Sequence, residues 1–250
     1  MAHTIRIGIG GWTFEPWRGT FYPAGLPQKK ELSYASRALT SIEINGTYYS
    51  RFKPDSWSKW RDETPDDFVF AVKASRYCTN RKILGQAGES IDSFLSQGLT
   101  VLGSKLGPIN WQFMATKKFD PHDIGAFMAL LPKEKDAVPL RHVLEVRHPS
   151  FQTQEFYDLA GANDVAIAYA QDDEFPKIDE PTSSFTYVRL MTTSNDLDAG
   201  VAPAELSRLT SKLKAWGKHG DVFAYFISGA KIRNPAAAQQ LIAELSQAAI

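Results

Sequence analysis

The chain is poor in cysteine, and this scarcity excludes two ways of stabilising a fold. Cys78 is the only cysteine among 250 residues, so neither an intrachain disulfide nor a cysteine-based metal cluster can form within one chain. An excess of charge of either sign is also absent, because 28 Lys and Arg residues balance 28 Asp and Glu residues. The chain therefore has no overall basic field to attract nucleic acid or an anionic membrane, although this balance is compatible with a local basic pocket.

Long apolar runs are missing as well, which argues against a membrane protein. No stretch approaches the ~20 apolar residues that a membrane-spanning helix needs. The first residues, Met1 to Gly8, lack the charged start and apolar run of a signal peptide. The hydrophobic content of 43% is ordinary for a globular domain. We expect a cytoplasmic protein without a membrane partner, and nothing in the sequence indicates its oligomeric state.

Eight short apolar segments alternate with helical patterns along the chain. The strand-like segments are 6–10, 41–45, 68–74, 107–113, 142–147, 165–170, 185–190 and 222–226. The helical patterns cover 31–39, 55–63, 90–102, 120–131, 153–162, 204–216 and the segment that begins at Asn234. The sixth connection, 171–184, is rich in Asp, Glu and Pro, so we expect a loop there. This alternation predicts an α/β fold, a single (β/α)8 TIM-type barrel domain over residues 1–250 with an irregular sixth crossover.

Charged and amide side chains occupy alternate positions at the ends of several predicted strands. Successive side chains of a strand point to opposite faces, so Glu43 and Asn45 share one face while Ile42 and Ile44 take the other. The same alternation places on the polar face Lys73, Asn110, Gln112, Glu145, Arg147 and Arg189. Buried charges are costly unless they are paired or used in function. The pattern therefore predicts a polar site inside the barrel, at the carboxyl ends of the strands.

Several blocks of the sequence are similar to a known family. Gly10-Gly-Trp-Thr-Phe14, followed by Trp17-Arg-Gly-Thr-Phe-Tyr-Pro23, resembles the opening signature of the YecE-like proteins, or domain-of-unknown-function family 72. Further blocks match in order, namely Ile42-Glu-Ile-Asn45, Thr47-Tyr-Tyr49, Phe68-Val-Phe-Ala-Val-Lys73 and Glu145-Val-Arg-His148. The resemblance covers nearly the whole chain and implies a TIM-type barrel of bacterial or archaeal origin without a settled activity.

The chain also departs from the pattern of the family that it resembles. Thr79-Asn80 stands where that family usually has Thr-His, and Arg189-Leu-Met-Thr192 stands where its seventh strand runs into His-Gly. The last strand ends in Phe226-Ile-Ser228 instead of Phe-Asn-Asn. If the replaced groups are the catalysts of the family, this member is altered or inactive.

Glu43, Glu145 and Lys73 are the candidate catalytic residues. Two carboxylates held in one pocket can have different pKa values and so divide the roles of acid and base. The alternative is that each pairs with a neighbouring Lys or Arg and fills the polar end of the barrel. For Lys73 three roles stay open: counter-ion of a glutamate, which we favour, anion anchor, or Schiff-base nucleophile.

The polar face carries one more positive charge than negative, because Lys73, Arg147 and Arg189 accompany Glu43 and Glu145. This excess favours a ligand with a carboxylate or phosphate, which Arg binds through paired donors. Trp12 and Tyr48 are expected to stack on the ligand, and His148 to form a hydrogen bond rather than to catalyse. The remaining candidate ligand-binding residues are Asn45, Gln112 and Tyr225.

Neither a cofactor nor a metal is expected. Gly8-Ile-Gly-Gly11 lacks the spacing and the following helix of a dinucleotide-binding motif. Lys73 and Arg147 would repel a cation from the available oxygen and nitrogen ligands, which are Glu43, Glu145, His148 and Asp172.

Three interpretations of function follow from these residues. The first is an enzyme with hydrolase- or lyase-like acid/base chemistry on a small anionic or sugar-phosphate-like molecule. The second is a barrel that binds a small ligand for a regulatory purpose without catalysis, which the departures from the family pattern favour. The third is a nucleic-acid-processing protein, against which the neutral charge balance argues.

Overall fold

Parallel strands joined by helices form the framework of the protein, for which a computed structural model describes residues 3–247. The eight barrel strands are β1 (Ile5–Gly10), β2 (Ser41–Ile44), β3 (Val69–Lys73), β4 (Leu106–Gln112), β5 (His142–Glu145), β6 (two segments, Ala166–Ile167 and Tyr169–Gln171), β7 (Phe185–Leu190) and β8 (Asp221–Phe226). Each pairs with its neighbours in parallel. The predicted α/β fold, a TIM-type barrel, is confirmed.

The sixth strand is broken, and the ring of strands is closed across this break. Its first segment pairs with β5, where Val143 lies opposite Ala166, and its second segment pairs with β7, where Arg189 lies opposite Ala170. Ala168, between the segments, donates its amide hydrogen to the carbonyl oxygen of Leu144 at 3.0 Å. The two segments thus occupy the two ends of the hydrogen-bonded strand order.

Seven of the α-helices in the described part of the chain overlap the predicted helical patterns, and the short helix Arg76–Thr79 was not predicted. The helix bounds are α1 (Glu31–Ala38), α2 (Pro54–Glu63), α3 (Arg76–Thr79), α4 (Gly88–Leu95), α5 (Pro121–Ala129), α6 (Gln154–Ala162), α7 (Pro203–Trp216) and α8 (Asn234–Gln247). Asp120 begins α5 by accepting hydrogen bonds from two free backbone amides of its first turn. Within residues 3–247, none of the helices combines the length and the apolar composition that crossing a bilayer requires.

Two helix predictions have informative outcomes. The sixth crossover has no helix, so the expected loop after β6 is confirmed. The prediction of one helix over 90–102 is wrong beyond Leu95, because Gly98 has a left-handed φ of 102° and a 3-10 helix, Leu99–Lys105, follows it. A short antiparallel pair, Glu134–Lys135 with Val138–Pro139, was not indicated by the apolar pattern.

The alternation of side chains along the strands separates two apolar cores. The outer faces of the strands pack against the helices and form the larger core with them. The residues that the strand segments contribute include Ile7, Ile9, Ile42, Ile44, Phe70, Val72, Leu144 and Val146. The barrel interior contains a second, smaller cluster, which includes Val69, Ala71, Val143, Tyr187, Phe223 and Tyr225. Gly8 faces this interior, and a Cβ atom there would lie 2.0 Å from the carbonyl oxygen of Ser41. The absence of a side chain at Gly8 therefore lets β1 and β2 approach.

His142 is a buried histidine that the outer core holds in its neutral form. Its Nδ1 accepts a hydrogen bond from Nε1 of Trp111 at 3.1 Å, and its Nε2 lies 2.8 Å from the carbonyl oxygen of Pro132. Only the tautomer with a proton on Nε2 satisfies both contacts, because a protonated Nδ1 cannot accept. Burial lowers the pKa of His142 below its usual 6.5, and the hydrogen bond to Pro132 opposes this shift only in part.

We expect His142 to make the fold less stable in mild acid. The unfolded chain binds a proton near pH 6.5 whereas the folded chain resists it, so the free energy of unfolding should fall as pH drops below that value. Replacement of His142 by Gln, which can donate and accept in the same places, should flatten this decline in urea unfolding between about pH 7 and about pH 5. The exposed His122 provides the control, and an equal effect of His122→Gln would contradict the assignment.

Candidate active site at the carboxyl ends of the strands

A buried arginine joins the two candidate carboxylates inside the barrel. Arg189 projects from β7, and its Nη1 donates to Oε2 of Glu145 at 2.6 Å while its Nη2 donates to Oε1 of Glu43 at 3.1 Å. The three side chains are at most 2% exposed. Glu43 lies on β2 and Glu145 on β5, so one guanidinium connects three separate strands. The sequence pattern predicted this shared face but not these partners.

Both carboxylates have further hydrogen-bond donors. The hydroxyl of Tyr187, two residues before Arg189 on β7, donates to Oε2 of Glu43. Nδ2 of Asn110 donates to Oε2 of Glu145 at 3.0 Å, and Arg147 donates to Oε1 of Glu145 from Nε at 2.9 Å and from Nη2 at 2.7 Å. Each carboxylate is thus held by more than one donor, which offsets the free-energy cost of its burial.

Gln112 completes this network, which we call the Arg189 network and which consists of Glu43, Asn110, Gln112, Glu145, Arg147, Tyr187 and Arg189. Oε1 of Gln112 accepts from Nη2 of Arg147 at 3.0 Å and from Nη1 of Arg189 at 3.3 Å. The amide oxygen therefore lies between the two guanidinium groups and accepts from both, whereas the charge that neutralises them comes from the carboxylates.

The charges of the Arg189 network fix several protonation states. Burial alone would raise the pKa of Glu145, but the attraction of Arg189 and Arg147 outweighs it and lowers this pKa to about 2. Burial and the neighbouring Glu43 raise the pKa of Tyr187 well above its usual value. At neutral pH Glu145 is therefore ionised and Tyr187 carries its proton. In this state Glu145 suits the role of a charged partner, because a carboxylate with so low a pKa neither donates a proton nor accepts one readily near neutral pH.

Lys73 is the ionisable residue that adjoins this network without an ion pair. It ends β3 and is half-buried, with Nζ 4.4 Å from the centre of the Tyr48 ring, and within residues 3–247 it has no salt bridge to a carboxylate. Burial first, and then repulsion by Arg189, lower the pKa of Lys73 to about 8. The role of close counter-ion, which we favoured for Lys73 on the sequence, belongs to Arg189, because the guanidinium occupies the space between the carboxylates.

Two polar atoms inside the barrel have no hydrogen-bond partner among residues 3–247. These are Oδ1 of Asn110 and Nε of Arg189, and both are buried. Asn110 lies opposite Lys73 in the strand register, so this acceptor is close to the end of β3. A buried acceptor and donor without partners suit a polar group of a ligand or a water molecule.

Aromatic rings cover the two cations that are nearest to solvent. Arg147 is 21% exposed, and its guanidinium carbon lies 4.4 Å from the centre of the Phe175 ring, on the loop that replaces the sixth helix. Tyr48 covers Lys73 in the same way, and its hydroxyl accepts a hydrogen bond from Nδ2 of Asn80 at 3.1 Å. A ligand that approaches this end of the barrel would therefore meet Lys73 and Arg147 before it meets the carboxylates.

Besides Tyr48, four predicted ligand-binding residues lie outside the Arg189 network, namely Tyr225, His148, Trp12 and Asn45. Tyr225 is fully buried, and its hydroxyl lies 2.7 Å from that of Ser41 in the barrel interior. His148 accepts from the backbone amide of Ser150 at 3.1 Å and begins a 3-10 helix. These contacts are structural, and the expectation that His148 forms a hydrogen bond is met by its own turn.

Trp12 and Asn45 lie at a separate cavity beside β1 and β2. Trp12 packs edge-on against Trp60 at 5.1 Å between ring centres, and Nδ2 of Asn45 lies 3.4 Å from the backbone oxygen of Glu43. The cavity has a volume of about 330 Å³ and is also lined by Gly10, Gly11 and Lys231. The structure thus brings together Glu43, Lys73, Gln112, Glu145, Arg147 and Arg189, with Tyr48 at the edge, and leaves Trp12 and Asn45 to one side.

Sequence reasoning missed two residues of this site. Tyr187 has the parity of Arg189 on the same strand, so the alternation that located Arg189 could have found it. Phe175 lies in a loop and had no periodic signal that would mark it. Among the described residues, no group of three or more His, Cys, Asp or Glu side chains is arranged to hold a metal ion.

Comparison with family models identifies the relatives of this chain. A model described as "Protein of unknown function DUF72" matches residues 6–249. The chain belongs to this family. UPF0759 protein YecE of Escherichia coli strain K12 is 30% identical over 150 residues, which are 59% of this chain and 50% of YecE. The chain thus spans about half the length of the curated relatives that it matches.

Solved structures of the DUF72 family share the fold. A DUF72 family protein from Thermotoga maritima superposes with a TM-score of 0.79 at 20% identity and covers 98% of this chain and 100% of its own. Another, from Enterococcus faecalis, has a TM-score of 0.74 at 15% identity and covers 98% and 96%. At these identities the likeness establishes the fold alone. The predicted family is confirmed, and its activity is not established.

Removal of Arg189 should destabilise the protein strongly. Arg189→Met leaves two buried carboxylates without their shared counter-ion, so we expect a loss of roughly 3–5 kcal/mol in urea unfolding. Arg147→Met provides the matched control and should cost less, because Glu145 keeps Arg189. Adding Glu43→Gln and Glu145→Gln to Arg189→Met should recover much of the loss. Equal stabilities of Arg189→Met and Arg147→Met would contradict the central role of Arg189.

Proposed function

We propose that this barrel is an enzyme that binds a small anionic molecule, of the sugar-phosphate or carboxylate type, and transfers protons in a hydrolase- or lyase-like reaction. The observation that carries the proposal is that Lys73 combines a lowered pKa with a position beside a charged network in which it has no ion pair. This amine has a pKa of about 8, adjoins a buried charged network and has no carboxylate partner within residues 3–247. Strongly shifted lysines next to fixed charges are frequent in active sites. The position of Lys73 at the carboxyl end of a barrel strand supports the same conclusion.

Lys73 has two properties that proton transfer requires. Its pKa lies close to neutral pH, so both the ammonium form and the free amine are populated near pH 8. Its charged form is also suited to hold a phosphate or carboxylate beside Arg147 before the reaction. We assign to Lys73 the task of giving or taking the proton and to Arg147, with Gln112, that of orienting the ligand.

Glu43 and Glu145 then act as the charged partners of this chemistry. The low pKa of Glu145 suits an electrostatic role and neither that of an acid nor that of a base. Glu43 accepts a hydrogen bond from Tyr187 and another from Arg189, which together hold its carboxylate in place. In place of the division of acid and base roles between two carboxylates that the sequence suggested, proton transfer is therefore proposed for Lys73, with the carboxylates as its fixed charges.

A barrel that binds a ligand without catalysis is the second candidate. The observation that favours it is the full engagement of both carboxylates, which are at most 1% exposed and are both bound by the buried Arg189. On this reading the Arg189 network only supports the structure, and Lys73 with Arg147 is an anion-binding site. The two candidates differ in whether a bound ligand is converted.

Anion binding should depend on the charge of Lys73. Lys73 is cationic below its pKa, so the affinity for ribose 5-phosphate should fall as pH rises through about 8. Lys73→Met should weaken binding at least about tenfold, and Lys73→Arg should retain binding and lose the pH dependence, both measured by titration calorimetry. Lys29→Met, at an exposed lysine before α1, is the control. Unchanged affinity in Lys73→Met would refute the anion site.

Catalysis should depend on the buried carboxylates more than binding does. For any ligand that stabilises the protein in a thermal-shift screen of phosphorylated and carboxylated metabolites, Glu43→Gln should slow conversion by about 100-fold or more. The same change should alter affinity little, because the side chain has no direct access to solvent. Conversion that survives both Glu43→Gln and Glu145→Gln would remove the carboxylates from the mechanism, and binding without any conversion would favour the second candidate.

A further inference from the structure

Two tyrosines beside the candidate site are unusually exposed. Tyr49, after β2, and Tyr77, after β3, are each 64% exposed, and Ile83 is the other large apolar side chain with high exposure among the described residues. Large aromatic rings usually contribute to a core, so exposed rings that are grouped together indicate a binding surface. Arg76 lies between these two rings, with its guanidinium carbon 6.0 Å from the centre of Tyr49 and 5.5 Å from that of Tyr77. We call these three residues the tyrosine platform.

The tyrosine platform is connected to Lys73 through Tyr48. The ring of Tyr48 has Nζ of Lys73 above one face at 4.4 Å and contacts the ring of Tyr49 edge-on, at 4.9 Å between centres. The buried hydroxyl of Thr47 anchors this turn, because it contacts the backbone oxygen of Lys73 at 2.6 Å. A continuous series of cations and rings therefore runs from the candidate site to the surface.

A cleft next to the platform is held open by contacts between loops. Its volume is about 460 Å³, and Tyr49 and Tyr77 are among its lining residues. Arg51, at one side, donates to the hydroxyl of Ser93 on α4 at 2.7 Å. Arg81 fixes the other side by donating to the backbone oxygen of Tyr77 at 2.8 Å. Arg81 also donates to the hydroxyl of Ser90 on α4 at 2.8 Å. The bonds of Arg51 and Arg81 to α4 thus link it to the loops that follow β2 and β3, so the cleft is a built feature of the fold.

Guanidinium and hydroxyl groups predominate among the polar groups of this surface. Arg51, Arg76 and Arg81 form no salt bridge among residues 3–247, whereas Glu89 is the acidic residue that lines the cleft. Hydroxyl groups supply much of the remaining polar lining, from Thr47, Ser50, Ser75, Ser90 and Ser93. Aromatic faces and guanidinium planes are the surfaces on which nucleobases stack, and hydroxyl and Arg side chains contact sugars and phosphates.

We propose that the tyrosine platform binds the base of a nucleoside monophosphate whose phosphate occupies the Lys73 site. This inference rests on the proposed function, because Lys73 anchors the phosphate in both. The base would stack on the exposed face of Tyr49 or Tyr77, and the ribose would lie over Tyr48. The platform thus selects ligands that carry a flat ring, whereas Lys73 and Arg147 select the anion.

Calorimetric titrations of the full chain with AMP, ribose 5-phosphate and adenosine test this assignment. AMP should bind about tenfold more tightly than ribose 5-phosphate, because only AMP has a base to stack. Tyr49→Ala and Tyr77→Ala, singly and together, should reduce the affinity for AMP towards that for ribose 5-phosphate and leave ribose 5-phosphate unaffected. Ile83→Ala, at an exposed apolar residue that does not line the cleft, is the matched control and should change neither affinity.

The outcomes separate this inference from the proposed function. Equal affinities for AMP and ribose 5-phosphate, or a preference for AMP that survives both tyrosine substitutions, would overturn the role of the tyrosine platform. The proposed function would stand in that case if Lys73→Met still weakened the binding of both ligands. If neither AMP nor ribose 5-phosphate binds at all, the anion site is refuted, and the proposed function with it. Tighter binding of a single-stranded oligonucleotide than of AMP, lost in the tyrosine variants, would replace the monophosphate by a nucleic acid.

Discussion

The buried guanidinium of Arg189 is the interaction on which the interior of this barrel depends. It binds Glu145 of β5 and Glu43 of β2 from β7, and the pair with Glu145 spans the position of β6. β6 is divided at Ala168 into two segments, of which the first pairs with β5 and the second with β7. The ion pair thus joins β5 and β7 on the inside of the barrel, across the strand that is divided. Such a pair tolerates burial because further donors satisfy both carboxylates.

The same arginine also sets the chemistry at the surface of the site. Arg189 lies close to both carboxylates, so its repulsion of Lys73 opposes their attraction for Lys73. The effect of burial, which lowers the pKa of Lys73, is therefore not compensated. A lysine between two free carboxylates would have a raised pKa, whereas Lys73 has one of about 8. A structural ion-pair cluster and a lysine with a lowered pKa are therefore two consequences of one arrangement. This link explains how a polar core can stabilise the barrel and also change the pKa of a neighbouring amine.

The sequence predicted the faces of the strands well and the contacts between strands poorly. The parity of Glu43, Lys73, Glu145 and Arg189 needs only the alternation along each strand, and all four point into the barrel. Which cation meets which carboxylate depends on the closure of the ring and the stagger of its strands, neither of which a single segment encodes. For that reason Lys73 was assigned the place that Arg189 takes.

Side chains outside the strands were the hardest to place from the sequence. Trp12 and Asn45 follow their strands closely, yet their loops turn to a neighbouring cavity. Tyr225 has the correct parity but lies deeper, where Ser41 is its partner. Phe175 contacts Arg147 from a loop without periodicity, so no pattern could mark it. Strand alternation thus locates a side chain by face, whereas its depth and its loop neighbours require the folded chain.

The missing sixth helix has a consequence for how such a site can diversify. A crossover helix must keep an apolar stripe that fits the strands beneath it, so most of its positions are constrained by packing. The loop between β6 and β7 has fewer positions that packing constrains, yet it places Phe175 over the guanidinium of Arg147. Substitutions, insertions and deletions in this loop can therefore change what the opening of the barrel admits, while the ring of strands keeps its geometry.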